Sequence, residues 1–164
     1  MPPERTTQSY GPGVTSASKS VLIELMATLR SYREALVLVG GWVPYFLLQR
    51  EQPAGDGFLH VGSIDIDFAV DPDAVRDAEY ATIVELLTTR GYQPTKDRRG
   101  GPIPFSFDRT VQSPVTRKTY TIRVDFLTRL DDASAPKRKH RPIQDDLFAR
   151  KTKGCDAAPK DVTA

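Results

Sequence analysis

The stretch GSIDIDFAVD, residues 62–71, places two carboxylates, Asp65 and Asp67, one residue apart in an otherwise apolar run. Aspartate is among the poorest strand formers, and an unpaired carboxylate is costly to bury. Because side chains alternate along a strand, we expect Asp65 and Asp67 to point to one face and their apolar neighbours to the other. The spacing therefore predicts a pair of carboxylates directed together. A purely structural or loop-capping Asp-x-Asp is the alternative.

A third carboxylate, Asp125, stands in TYTIRVDFLTRL, residues 119–130, where apolar and polar residues alternate. The alternation predicts a strand with Asp125 on its polar face beside Arg123, which could pair with that carboxylate or neutralise a phosphate. A divalent cation, Mg²⁺ or Mn²⁺, would relieve the repulsion between such carboxylates and would also bind phosphate oxygens. If Asp65, Asp67 and Asp125 converge, they are expected to hold two metal ions and to support phosphoryl transfer.

Two glycines, Gly40 and Gly41, follow the apolar run ALVLV and precede WVPYFLLQR, for which we predict a helix with Pro44 in its first turn. A strand that ends in glycines before a helix leaves backbone N–H groups at the helix N-terminus, where the dipole favours an anion. Glycine also lets a phosphate approach the backbone closely. The segment therefore predicts a phosphate-binding turn, with an ordinary chain reversal as the alternative.

The order LVGGW, HVGSIDIDFAV and IRVDFLT, within residues 36–127, resembles the polymerase-β-type nucleotidyltransferase superfamily. That superfamily combines Gly-Gly or Gly-Ser, then Asp-x-Asp or Asp-x-Glu, then a later single Asp on a strand. The double glycine and the Ser-x-Asp-x-Asp context are most similar to the AbiEii-type toxins of abortive-infection and toxin–antitoxin systems. The resemblance implies that Gly40 and Gly41 contact a nucleoside triphosphate (NTP). It also implies that Asp65 and Asp67 bind the metal ions, while Asp125 completes the metal site and helps to activate the attacking hydroxyl.

By this resemblance the chain is expected to be a nucleotidyltransferase that moves a nucleoside monophosphate from an NTP to a hydroxyl of RNA, a protein or a small molecule. A toxin role and a cognate antitoxin are implied as well. One alternative is a catalytically silent nucleotide- or partner-binding module on the same fold. A haloacid-dehalogenase-type phosphatase also uses Asp-x-Asp, but it normally has Thr or Val at the position of Ala69.

The elements around these motifs predict an α/β (α+β) fold of the nucleotidyltransferase type, in which helices flank a mixed sheet. We predict helices within residues 15–35, 42–50 and 71–92, and strands within residues 35–41, 63–70, 102–110 and 119–130. Residues 1–14 are expected to form a disordered arm, and residues 15–130 the nucleotidyltransferase-like domain. Residues 131–164 are expected to be a basic linker and the start of a helix in 143–151, where the resembling toxins carry a helical domain.

A chain of 164 residues allows one domain with a substantial core. Neither a secretory signal nor a membrane-spanning run is apparent, and the single cysteine, Cys155, excludes an internal disulfide and a cysteine zinc cluster. These features favour a reducing cytoplasm. The net charge of +2 does not by itself indicate nucleic-acid binding. The basic residues 137–141 could be a solvated linker or could bind phosphates of an RNA acceptor.

Overall fold

The structure is a computed structural model that describes residues 10–51, 62–75, 81–130 and 139–155. These residues form three α-helices and a seven-stranded mixed sheet, so the predicted α+β class is confirmed. The helices are α1 (Pro12–Thr28), α2 (Trp42–Glu51) and α3 (Ile83–Thr89). The strands are β1 (Leu36–Val39), β2 (Ile66–Val70), β3 (Gln93–Lys96), β4 (Pro102–Gln112), β5 (Thr119–Thr128), β6 (His140–Pro142) and β7 (Phe148–Lys151). Within the described ranges, no helix is both long and apolar enough to cross a membrane.

The main path of the sheet has the strand order β1-β2-β5-β4-β3. The pair β2 and β5 is parallel, whereas β1 with β2, β4 with β5 and β3 with β4 are antiparallel. The pairing of β4 with β5 reaches Ser106 opposite Asp125. Beyond it, β7 pairs in parallel with the end of β5, where Leu127 is opposite Arg150, and β6 pairs with β7. The strand that carries Asp125 therefore lies in the interior of the sheet.

One face of the sheet, the core face, carries the main hydrophobic core. Along β5, Ile122, Val124 and Phe126 are fully buried, while Arg123 is exposed and Asp125 is half-buried. This confirms the alternation predicted from the sequence. The core cluster also contains residues of β2, β4, α1, α2 and α3: Ile66, Phe68, Val70, Phe107, Val21, Leu22, Leu25, Trp42, Ile83 and Leu87. Each large apolar side chain buried here stabilises the fold by roughly 1.5–3 kcal/mol.

The opposite face, which we call the polar face, carries hydroxyl, carboxylate and guanidinium groups on neighbouring strands. Strand parity and register place the following residues on it: Asp67 of β2, Arg123 and Asp125 of β5, Ser106 and Asp108 of β4, and Thr95 of β3. A small apolar cluster of Ala69, Leu127 and Cys155 borders the polar face. The fold therefore separates a dry face that stabilises the sheet from a face with chemically active groups.

The predicted helix over residues 71–92 is wrong at residues 71–75, which form a turn, and α3 begins only at Ile83. At the start of the predicted helix, Asp71 accepts a hydrogen bond from the backbone N–H of Asp73 at 3.0 Å, which closes a turn. Arg129 forms ion pairs with the carboxylates of Asp71 and Asp73. Thr82 then caps α3 in a capping box with Glu85. Residues 76–80 lie outside the described part of the chain. Strand β3, which directly follows α3, was not predicted.

The predicted helix start in residues 143–151 is also wrong, because residues 143–147 are not helical and residues 148–151 form β7. Leu147 and Ala149 are fully buried two residues apart, a period that fits a strand and not a helix. The described part of the expected linker, residues 139–155, thus belongs to the sheet, whereas residues 131–138 lie outside the described ranges. At the other end, α1 begins at Pro12, inside the stretch expected to be a disordered arm, because proline is well suited to a first helical turn.

Candidate active site

Asp67 and Asp125 stand side by side on the polar face. In the parallel register of β2 and β5, Asp67 is the Cα partner of Asp125, and the flanking pairs, such as Phe68 with Phe126, point to the core face. Partner residues on adjacent strands lie about 4.8 Å apart. Like charges directly across a sheet destabilise it unless something neutralises them. The two half-buried carboxylates therefore form a place suited to a cation.

The turn formed by Gly40 and Gly41, which we call the glycine turn, lies directly against this pair. Gly40 has a φ of +75°, and a Cβ at this position would lie 2.6 Å from Oδ2 of Asp67. A Cβ at Gly41 would lie 2.8 Å from Oγ of Ser63. The structure thus places the predicted phosphate-binding turn and the predicted metal ligand next to each other. It also gives both glycines a packing reason that is independent of any ligand.

Asp65 lies in a bend immediately before β2, because the predicted strand over residues 63–70 begins only at Ile66. The segment that leads into this bend is anchored on Trp42. A Cβ at Gly62, whose φ is +86°, would lie 2.9 Å from the Trp42 ring. Trp42 is 1% exposed and donates a hydrogen bond from Nε1 to Oγ of Ser18 at 3.2 Å. Trp42 is therefore a core residue that fixes the approach to the carboxylates.

A hydrogen-bonded group on β3, β4 and β5 adjoins Asp125. Ser106 donates to Oδ1 of Asp125 at 2.5 Å, and Thr95 donates to Oδ1 of Asp108 at 2.8 Å. Arg123 pairs with Asp108, with 3.6 Å between Nε and Oδ1. The basic side chain next to Asp125 on the polar face of β5 thus interacts with a different carboxylate, and no ion pair joins Asp125 to a basic residue in the described ranges.

Sequence reasoning did not predict that Ser63 borders the glycine turn, that Ser106 contacts Asp125, or that Thr95 and Asp108 lie beyond Ser106. A signal was present for two of them, since PFSFD alternates phenylalanine with Ser106 and Asp108 in a strand pattern. That alternation places both residues on the face opposite the phenylalanines. It does not indicate which strand pairs with β4, so the contact between Ser106 and Asp125 could be found only from the fold.

The structure brings Asp67 and Asp125 together but does not join Asp65 to them in a ready three-carboxylate site. Across the described residues, no three aspartate, glutamate, histidine or cysteine side chains are grouped closely enough to hold a metal ion. Mg²⁺ is commonly held by only one or two carboxylates, together with water and the phosphates of a substrate. The donor set of Asp67 and Asp125 fits that mode of binding.

No protein-family model matches the chain, and neither a curated protein nor a solved structure is significantly similar to it. The relationship to polymerase-β-type nucleotidyltransferases therefore stays a prediction from the motifs.

Proposed function

We propose that this protein is a metal-dependent nucleotidyltransferase that moves a nucleoside monophosphate from an NTP to a hydroxyl acceptor. The observation that supports this most is the register of β2 and β5, which sets Asp67 beside Asp125. The glycine turn adds support, because Gly40 lies against the Asp67 carboxylate at the N-terminus of α2. Two adjacent carboxylates next to a glycine turn are the groups that metal-assisted transfer from a triphosphate needs.

Asp67 and Asp125 would hold Mg²⁺, or Mn²⁺ in its place, and Asp65 is proposed as a further ligand because it lies two residues before Asp67. The metal would stabilise charge on the attacking and leaving oxygens. Asp67, which lies against Gly40, would bind on the side of the triphosphate. Asp125 would orient the acceptor hydroxyl and help to remove its proton. The new bond forms between the acceptor oxygen and the α-phosphorus, and pyrophosphate leaves.

The acceptor is proposed to be a hydroxyl of RNA, a protein or a small molecule. A toxin role, a cognate antitoxin and a cytoplasmic location are part of the same proposal, since they derive from the motif resemblance. Together they define a first screen in which each labelled NTP is incubated with the protein, Mg²⁺ and total RNA or protein extract. Transfer of label to a macromolecule would identify both the nucleotide and the class of acceptor.

Three variants test which carboxylates act. Of the two metal ions, Asp125 is proposed to act mainly on the one that activates the acceptor hydroxyl, whereas Asp67 also holds the one that travels with the triphosphate. Asp125→Asn should therefore keep most nucleotide affinity and lose transfer by a factor on the order of a thousand, because it removes stabilisation of transition-state charge. Asp67→Asn should lose both binding and transfer. Asp145→Asn is the matched control, since Asp145 is exposed and lies on the loop between β6 and β7. Nucleotide binding is measured by calorimetry and transfer by gel.

Two results would change the conclusion. If the parent protein binds NTP but transfers nothing to any acceptor, the silent binding module replaces the enzyme. If Asp125→Asn and Asp145→Asn both transfer as well as the parent, Asp125 has no catalytic role and the proposed site is wrong.

A further inference from the structure

Two buried hydroxyls connect Asp125 to the outer strands of the sheet. Ser106 and Thr95 are each 2% exposed and lie on the neighbouring strands β4 and β3. Ser106 Oγ lies 2.5 Å from Oδ1 of Asp125 and 3.1 Å from Oγ1 of Thr95. Thr95 Oγ1 lies 2.8 Å from Oδ1 of Asp108. The four side chains thus form one continuous chain of polar contacts.

The number of hydroxyl protons in this group of four side chains determines which hydrogen bonds form. Each hydroxyl has one proton to donate, whereas an ionised carboxylate can only accept. Hydrogen bonds to a charged acceptor are stronger than bonds between two hydroxyls. The proton of Thr95 is therefore directed to Asp108, and the proton of Ser106 to Asp125. No proton remains for a hydrogen bond between the two hydroxyl oxygens, so Ser106 donates its proton to Asp125 and not to Thr95.

The Ser106 bond makes the two oxygens of Asp125 different. Oδ1 is held by Ser106, whereas Oδ2 accepts no hydrogen bond from any residue that the structure describes. A carboxylate with one oxygen fixed by a buried donor cannot rotate freely, and its other oxygen keeps a constant direction. Hydrogen bonds of this kind orient metal ligands in proteins, and their loss typically weakens metal binding or activity by about 10- to 100-fold.

We infer that Ser106 is a positioning residue that holds Asp125 in the orientation needed to bind the divalent cation of the transfer reaction. The inference rests on the proposed function, because it assigns Asp125 a metal. Thr95 and the Asp108–Arg123 pair lie beyond Ser106, and within the described residues they form no hydrogen bond or ion pair with Asp125. The role thus belongs to Ser106 and not to buried hydroxyls of this face in general.

Ser106→Ala removes the donor, and Ser106→Cys keeps nearly the same size with a much weaker donor. Thr95→Val is the matched control, since it removes an equally buried hydroxyl whose hydrogen bond goes to Asp108 and not to Asp125. The first measurement is Mn²⁺ binding, followed by electron paramagnetic resonance, in the presence of the α,β-methylene analogues of ATP, GTP, CTP and UTP. The second is the melting temperature of each protein.

Both Ser106 variants should bind Mn²⁺ about 10- to 100-fold more weakly than the parent, while Thr95→Val stays close to the parent. If the folded Ser106 variants bind Mn²⁺ as tightly as the parent, the positioning role is refuted and the proposed function stands. Equal losses in Ser106→Ala and Thr95→Val that follow their melting temperatures also refute it, because they indicate a purely structural role. If the parent binds no Mn²⁺ with any analogue, the proposed function fails first, and the inference fails with it.

Discussion

Gly40→Ala should damage the candidate site more than it damages the fold. Gly40 has a φ of +75°, where a residue with a Cβ costs roughly 1–2 kcal/mol. The new Cβ would also lie 2.6 Å from Oδ2 of Asp67, which is too close for any real contact. The carboxylate is the flexible end of a side chain, so it can turn away at little cost. The variant should therefore fold with a moderate loss of stability and a displaced Asp67.

Gly100→Ala separates the backbone cost of a positive φ from the effect of the close contact with Asp67. Gly100 has a φ of +83°, but nothing lies within 4 Å of a Cβ placed there. It carries the same backbone cost without any contact. For a chain of this length, 1 kcal/mol lowers the melting temperature by about 2–4 °C, so each variant should lose roughly 2–8 °C.

The site is then compared through Mn²⁺ binding and nucleotide transfer. Gly100→Ala should match the parent protein in both assays, whereas Gly40→Ala should lose Mn²⁺ affinity and transfer because Asp67 no longer faces Asp125. If the two variants have the same melting temperature and the same Mn²⁺ affinity, the close contact between Gly40 and Asp67 does not control the site. That result would refute the reasoning.

Two further predictions concern stability. Leu147→Ala should cost about 2–5 kcal/mol in urea unfolding with a single transition, because Leu147 is fully buried; no loss would show that β7 is not part of the cooperative fold. Burial raises the pKa of Glu24, but the hydrogen bonds from Arg109 and the charges of Arg109 and Arg90 lower it further than burial raises it, so its pKa lies below the ordinary 4.5. The pair with Arg109 should therefore stabilise the fold above about pH 4.5, by up to about 1 kcal/mol, and lose this as the pH falls further. Urea unfolding at pH 7 and pH 3 should show Glu24→Gln with the smaller acid-induced loss, and equal losses would contradict the pairing.

Side-chain alternation explains why β5 was predicted well and α3 was not. In TYTIRVDFLTRL the alternation is strict and the strand is long. The alternation alone therefore predicted which side chains are buried and that Asp125 lies on the polar face. Residues 71–92 contain apolar residues at helical spacing throughout, and that spacing hid the turn closed by Asp71. The turn depends on Arg129, which is distant in sequence and whose pairing with Asp71 and Asp73 no local pattern reveals.

The partner strands of the site could not be predicted, because they depend on topology. Motif order alone suggests that Asp67 and Asp125 converge, but β3 and β4 lie between their strands in sequence. The chain must pass through these strands before β5 returns beside β2 in parallel. Only then does Ser106 become the neighbour of Asp125. The carboxylates were therefore accessible to sequence reasoning, whereas the hydroxyl that orients one of them was not.

The glycines of the glycine turn have a structural role that does not depend on a ligand. Glycine is favoured at position 40 because a φ of +75° is strained for other residues and a Cβ would displace the Asp67 carboxylate, whether or not a phosphate ever binds there. The presence of glycine at this position is thus weak support for nucleotide binding. The stronger support is that the register of β2 and β5 sets the carboxylates of Asp67 and Asp125 side by side on the polar face. Two carboxylates that a parallel register holds next to each other offer paired oxygen ligands of the kind that a divalent cation prefers.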